Sequence, residues 1–391
     1  MNIMLITMYN LHNNCGGAER VFCNMANSLS ARGHEVSCVF FDKEDNVVPF
    51  YHIDSKVELV NAGGKSFENI RFVDRVKLSF ILDKRKRDEK RDYIRDLYYK
   101  KRLKPILKKI NSDIVICYNE IGARIIKAFI DSKIPVVVMF HRNPTNDLQV
   151  ASERTVEALE KCECLQVLLA EYISDVKKFV KTEKVKCIPN CVPQYKIDEK
   201  IEENRENIII YPARIDRGKR QDKIVEAFSL ISKEFPNWTV EFWGDTNYDK
   251  KYYLDVLNII KRKNLDKKIF FKGIADDIFS QLCRAKICAF PSASEGFGLG
   301  LAEAMSAMVP VVAFKNTDFA NSMIKDGVTG LLCDDNVDDF ALKLKILMRD
   351  DRLRRQMGAA AKKDVKKYSE EKVWDMWEEL INDVVRSKVV K

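Results

Sequence analysis

Two consecutive doubly wound α/β domains are the fold class that this sequence predicts, and three observations predict it. Short apolar runs bounded by turn residues alternate with longer amphipathic stretches from the first residue onward, the signature of βα units feeding parallel sheets. The alternation stops once, at a polar stretch without period over residues 197–207, and then restarts. The chain also has 391 residues, more than one ordinary core fills, so two domains are expected.

In the first half the strands are expected at Ile3 to Thr7, Glu35 to Phe41, Ile114 to Tyr118, Val136 to Phe140 and Leu165 to Leu169. Helical patterns at Glu19 to Ala31, Tyr93 to Ile110, Gly122 to Asp131 and Glu171 to Val180 lie between most of them. The second half repeats the scheme, with strands at Ile208 to Pro212, Thr239 to Trp243, Ile269 to Lys272, Ile287 to Phe290 and Val311 to Phe314. In such sheets ligands bind beyond the carboxyl ends of the strands, so functional residues are sought there.

Composition narrows the class. Hydrophobic residues make up 46% and charged residues 32%, enough apolar material for two cores. The opening run Met1 to Thr7 is too short and lacks the basic start of a secretory signal, so it reads as a first strand. Apolar runs such as Ile134 to Phe140 fall far short of the roughly 20 residues of a membrane-spanning helix. The eleven cysteines have neither metal-ligand spacing nor nearby histidines, and their odd number suits the reduced thiols of a cytosol, so no metal site is expected. The net charge is +9, and residues 71–109 alone hold 16 Lys and Arg against 6 Asp and Glu. The positive field is therefore one patch in the first half.

Three motifs stand at expected strand ends. Gly16-Gly17-Ala18-Glu19-Arg20 follows the first strand, where paired glycines allow close backbone approach and the helix start favours an anion. Its spacing is not the three-glycine dinucleotide fingerprint, and paired glycines also mark ordinary turns. Tyr211-Pro212-Ala213-Arg214-Ile215-Asp216-Arg217-Gly218-Lys219 ends the first strand of the second half; Arg214 and Lys219 there suit a diphosphate, which needs a bidentate fork and a mobile point charge, or equally a solvated basic loop. In Pro291-Ser292-Ala293-Ser294-Glu295-Gly296-Phe297-Gly298-Leu299-Gly300-Leu301-Ala302-Glu303, Glu295 lies in a loop and Glu303 in the helix that starts near Gly298. Free amides at that helix start would suit phosphate oxygens, and carboxylates on either side can accept from sugar hydroxyls; the alternative for Glu303 is a plain surface position, which its apolar neighbours disfavour.

Together these residues resemble the retaining glycosyltransferases of family 4, which adopt the GT-B fold. Arg32-Gly33-His34-Glu35-Val36, Ile188-Pro189-Asn190, Trp243-Gly244-Asp245 and Gly273 extend the resemblance over nearly the whole chain. It implies two Rossmann-like lobes facing across a cleft: residues 1–190 for the acceptor and residues 205–367 for the nucleotide sugar. Residues 368–391 would form a C-terminal helix returning to the first lobe, its tryptophans in the core. It further implies that Arg214 and Lys219 neutralise the donor diphosphate. Glu295 and the backbone at Phe297, Gly298 and Leu299 would hold the transferred sugar, while Glu303 accepts from the ribose. Gly16 and Gly17 would close on donor or acceptor, and His141, after the strand Val136 to Phe140, would orient the reacting centre beside Glu295. The family often has glycine after Ile-Pro-Asn where this chain has Cys191.

The expected activity is retaining transfer of a hexosyl or N-acetylhexosaminyl group from a nucleotide-diphosphate donor, UDP by family frequency. The acceptor is a glycan or a polyprenyl-diphosphate-linked glycan of surface polysaccharide or glycoconjugate synthesis, and neither cofactor nor metal is expected. The basic, partly aromatic segment 71–109 is expected to hold the protein on an anionic membrane, at its cytoplasmic face. A nucleotide-sugar epimerase on the same fold, or a nucleic-acid-binding protein using Lys84-Arg85-Lys86-Arg87, are the alternatives; no nucleic-acid motif accompanies that run.

Overall fold

The structure, a computed structural model, describes residues 1–389 except 13, 45, 64–71 and 316. It divides into two compact units, Met1–Pro189 with Trp374–Lys391, and Asn190–Val373. Each unit is built on one sheet in which all pairings are parallel.

The first sheet contains β1 (Asn2–Ile6), β2 (Glu35–Phe40), β3 (Glu58–Asn61), β4 (Ile114–Cys117), β5 (Val136–Met139), β6 (Cys164–Val167) and β7 (Val185–Cys187). Their order is β3-β2-β1-β4-β5-β6-β7, so the winding reverses between β1 and β4. Every residue of β4, β5 and β6 is buried, as a parallel strand covered on both faces requires, and their valine and isoleucine content suits it. Helix α1 (Gly17–Ala31) buries Val21, Phe22, Met25, Ala26 and Leu29 on one face, and Gly33 in the left-handed region (φ +86°) follows its end.

Helices α2 (Phe72–Ser79) and α3 (Lys84–Ile110) carry the basic segment. Asp83 starts α3 by accepting from the Lys86 amide at 3.0 Å, and Asn111 ends it in the left-handed region at φ 47°. Tyr99 and Leu103 turn inward together with Asp96. The Asp96 carboxylate is gripped in fork fashion by Arg124, at 2.8 and 2.7 Å, and Arg124 also donates to the Thr155 hydroxyl at 3.0 Å. One guanidinium thus binds α3 to the helices Glu120–Arg124 and Glu153–Glu160.

The second sheet contains β8 (Glu206–Pro212), β9 (Thr239–Trp243), β10 (Ile269–Gly273), β11 (Ala285–Phe290), β12 (Val311–Phe314) and β13 (Gly330–Cys333), in the order β10-β9-β8-β11-β12-β13. Helix α4 (Leu299–Ser306) follows β11. The last helix, α5 (Glu370–Val389), groups with the first unit from Trp374 onward. Trp374, Trp377, Leu380, Ile381 and Val384 are buried. Arg32 pairs with Asp375 at 2.8 Å and Glu378 at 2.5 Å, and Lys186 with Asp383 at 3.3 Å.

The structure corrects the sequence reading in three places. Residues 197–207 are not a plain linker: Asp198 caps a helix Glu199–Glu203 by accepting from the Ile201 amide at 2.9 Å, and β8 already begins at Glu206. That helix buries none of its residues, so no hydrophobic period announces it. The pattern Gly122 to Asp131 resolves into a helix Glu120–Arg124 and a π-helical turn Ile125–Ile130, with Ile125, Ile126 and Lys127 all buried. Finally, β3, β7 and β13 were not expected; each is only three or four residues long, too short for a period to show.

Because Asp96 is enclosed with its cation, Arg124→Ala leaves a carboxylate buried without its counter-charge, at a cost of about 3–5 kcal/mol. Amide hydrogen exchange in β4 and β5 should accelerate by at least about a hundredfold, taking tenfold per 1.4 kcal/mol. Unchanged protection there would show that the pair contributes nothing to this unit.

Candidate functional site

In the second unit the strand order reverses between β8 and β11, and the loops leaving their carboxyl ends are tied together. Within the loop after β8, Asp216 shapes the turn: its Oδ1 accepts from the Gly218 amide and its carbonyl from the Lys219 amide, both at 2.9 Å. The buried Tyr211 hydroxyl donates to the Lys219 carbonyl at 2.9 Å, and Gln221 donates to the Arg214 carbonyl at 2.7 Å. From the β11 loop, the Ala293 amide donates to the Gly218 carbonyl at 2.9 Å. Lys219 Nζ bonds Glu295 Oε1, and the Ser292 hydroxyl lies 2.9 Å from that same oxygen. The ammonium and the carboxylate are therefore positioned by backbone and by each other.

Arg214, 42% exposed in its side chain, lies over the Tyr248 ring at 4.1 Å and 3.7 Å from Asp216. Its planar cation is thus partly open to solvent, in the same loop as Lys219. Gly298, at φ +73°, caps α4 in the left-handed region, and a Cβ there would come within 2.9 Å of the Phe319 ring. Gly300 permits a second close approach, since a Cβ would stand 2.7 Å from the Pro212 carbonyl oxygen at the end of β8. The amides that start α4, at Leu299 and Gly300, consequently lie next to the β8 loop. Glu303 is 3% exposed, in the second turn of α4 among buried Leu301, Ala302, Ala304 and Met305. The Phe297 ring is buried edge-on against Tyr368 at 5.2 Å, so this residue offers its backbone.

The structure thus places Arg214, Lys219, Glu295, Phe297, Gly298 and Leu299 in the adjoining loops at the ends of β8 and β11, with Glu303 one turn further along α4. Gly16, Gly17 and His141 stand at the corresponding strand ends of the first unit. Gly16 caps α1 at φ −69° and Gly17 is its first residue. A Cβ on Gly16 would meet the Glu19 carboxylate at 2.1 Å, and Asn14 holds that carboxylate at 3.0 Å. His141 follows β5 and stacks on Tyr118, which follows β4, with ring centroids 4.8 Å apart and planes inclined by 25°. Neither of its ring nitrogens meets a hydrogen-bond partner among the described residues. Burial lowers its pKa to about 4, so the imidazole is neutral at physiological pH.

Several neighbours escaped the sequence reading. Ser292 and Tyr248 position Glu295 and Arg214, and neither type carries a signal of its own. Glu120, just beyond β4, has its carboxyl raised above the usual range by burial. Arg142 beside it donates to Asp147 at 3.1 Å. Glu120 follows an apolar run as His141 does, so the strand-end rule was sufficient to find it. Among the described residues no group of three His, Cys, Asp or Glu side chains is arranged to hold a metal.

Two family models divide the chain between them. Residues 15–194 match Glycosyltransferase Family 4 and residues 194–364 match Glycosyl transferases group 1. This chain belongs to the family 4, group 1 glycosyltransferases of GT-B fold. Similar to this transferase is an undecaprenol-diphosphate-linked oligosaccharide α-1,4-N-acetyl-D-galactosaminyltransferase of Campylobacter jejuni. It is 25% identical over 380 residues, 95% of this chain and 96% of that one. The poly(ribitol-phosphate) α-N-acetylglucosaminyltransferase of Staphylococcus aureus is 30% identical over 179 residues, 45% of this chain and 36% of that protein. Among solved structures, sucrose-phosphate synthase from Thermosynechococcus elongatus superposes with a TM-score of 0.80 at 17% identity, covering 99% of the transferase and 100% of that chain.

The His141 imidazole, whose two nitrogens are covered, makes stability depend on pH. A histidine of the unfolded chain titrates near 6.5 and His141 in the folded transferase near 4, so between those values the unfolded chain binds more protons. Acidification from 6.5 towards 4 should remove up to about 3 kcal/mol that is fully present above 6.5. Replacement by His141→Phe should flatten this part of the stability profile in urea; an unchanged slope would show that His141 titrates normally.

Proposed function

We propose that this transferase moves a hexosyl or N-acetylhexosaminyl group, with retention, from a nucleoside-diphosphate sugar to a carrier-bound glycan in surface polysaccharide or glycoconjugate synthesis. One observation carries the donor assignment: the Lys219–Glu295 pair held between the β8 and β11 loops at the reversal of strand order. A sugar diphosphate needs cations at its phosphates and acceptors at its hydroxyls, and this pair puts one of each side by side. Arg214 adds the planar fork, and the amides at Leu299 and Gly300 add uncharged donors for phosphate oxygens. Glu303 accepts from the ribose hydroxyls, and Glu295 with the backbone at Phe297 to Leu299 holds the transferred sugar. UDP is the first nucleotide to test. Gly16 and Gly17 bring backbone close to substrate, and neutral His141 bonds a hydroxyl at the reacting centre.

In the reaction the bond between the sugar's anomeric carbon and the diphosphate oxygen breaks as the acceptor oxygen bonds to that carbon from the same face. The acceptor's proton passes to the departing phosphate. Charge accumulates on the leaving diphosphate, so fixed cations lower the barrier most, and Arg214 and Lys219 fill this role without a metal. Acceptance by a lipid-linked glycan or a polyol-phosphate polymer is supported by the Campylobacter and Staphylococcus relatives, which are named for an undecaprenol-diphosphate-linked oligosaccharide and for poly(ribitol-phosphate). The same relatives speak for transfer over epimerisation.

Lys219→Ala and Glu295→Ala should each lower turnover by about 10²–10³-fold with the fold intact, the range for removing one fixed stabilising group. Near-normal rates in both would remove the donor assignment. A thermal-shift screen across nucleotide sugars identifies the donor. Activity should persist in EDTA; complete loss, restored only by a divalent ion, would overturn the metal-free reading.

A further inference from the structure

We infer that α2, α3 and the turn between them form a docking surface for an anionic lipid bilayer. On α3, Lys86, Lys90, Leu97, Lys101, Lys104 and Lys108 recur at intervals of three, four or seven residues, with Tyr93 filling the longer gap. At 3.6 residues per turn they lie in one stripe, and all are exposed. Its length is about 33 Å at 1.5 Å per residue. Exposed Glu89 borders its amino end, but from Lys90 onward no carboxylate stands in it: Asp92 is turned away to Arg95 at 3.1 Å, and Asp96 is enclosed by Arg124 on the inward face. None of the five lysines is ion-paired among the described residues, and a shallow groove of about 450 Å³ opens between Leu97, Pro105 and their lysine neighbours.

The neighbouring helix has its polarity inverted. α2 turns Asp74 and Leu78 inward and leaves Val73 and Val76 outward, and this apolar row runs on to Phe80. In the turn that follows, Phe80 is 78% and Leu82 94% exposed. Such side chains at a hairpin tip gain by entering the headgroup and acyl boundary, while a row of lysines beside them gains from anionic lipid. A nucleic acid would use the lysines and leave the aliphatic tip in water, so charge and apolarity together select the bilayer. Since no helix of the described residues is long and apolar enough to cross a membrane, the contact is peripheral. Its use in reaching a lipid-borne acceptor rests on the transferase reading; the docking itself does not.

The test is flotation of the full chain with phosphatidylcholine vesicles, with and without about a third phosphatidylglycerol. Binding should require the anionic lipid and weaken with salt. Each lysine near the surface contributes about fivefold in partitioning, so the combined Lys101→Gln, Lys104→Gln and Lys108→Gln variant should bind about a hundredfold more weakly. Phe80→Ser with Leu82→Ser should lower binding even at low salt. Hydrolysis of a soluble nucleotide sugar should be unchanged in both variants, so vesicle and donor readouts fail independently. Equal recovery with neutral and anionic vesicles would overturn the inference. So would lysine-dependent binding of RNA, or lysine-dependent self-association, without vesicle binding.

Discussion

The hydrogen-bonded pairing of β8 with β11 is the constraint on which the proposed donor site depends. These strands are far apart in sequence, yet Ile209 lies opposite Ile287 and Ile210 opposite Cys288. Once this register is set, the two loops leave the sheet side by side, and the Gly218 carbonyl, Ser292 and the Lys219–Glu295 pair complete the connection. A register slip in a parallel sheet would move every following side chain to the other face, and lysine and glutamate would no longer meet. Their mutual shielding matters because both side chains are largely covered, at 14% and 15% exposure, where an uncompensated charge is costly.

The two units solve different electrostatic problems with the same winding. Strand ends in the second carry a guanidinium, an ammonium and helix amides, which suit a leaving group that gains negative charge. Strand ends in the first carry a neutral imidazole stacked on a tyrosine and a carboxyl raised by burial. The imidazole carries no charge near neutral pH, which suits hydrogen bonding to hydroxyls more than neutralising phosphate. Function therefore follows from the loops, and the sheets supply only the places where they start.

Much of this was legible in the sequence because strands with both faces covered must be apolar throughout. Val136 to Met139 and Val311 to Phe314 could be placed within a residue for that reason. Edge strands such as Glu58–Asn61 lack that signature, and the helix Glu199–Glu203 depends on one cap with no buried face. Among residues of the candidate site, the positions of Arg214, Lys219, Glu295 and Glu303 at strand ends or beside buried residues were readable because a charge there needs a reason. Ser292, Tyr248 and Tyr118 were not, since their meaning lies in what they touch across long sequence separations. The inverted polarity of α2 was also invisible until Asp74 and Val76 had been given their faces.

The last helix sets an order of events during synthesis. Arg32, His34 and Lys186 find Glu378, Asp375 and Asp383 only after residues 190–373 have been made. At roughly 5–20 residues per second, the first unit waits on the order of ten to forty seconds with the seat of Trp374, Trp377 and Ile381 uncovered. During that interval the second unit can fold as a continuous stretch while the first remains incomplete. A nascent first unit is accordingly the natural client for chaperones that recognise exposed apolar surface. Loss of the final twenty residues, even by a frameshift far from any catalytic group, would leave that surface permanently open to proteolysis.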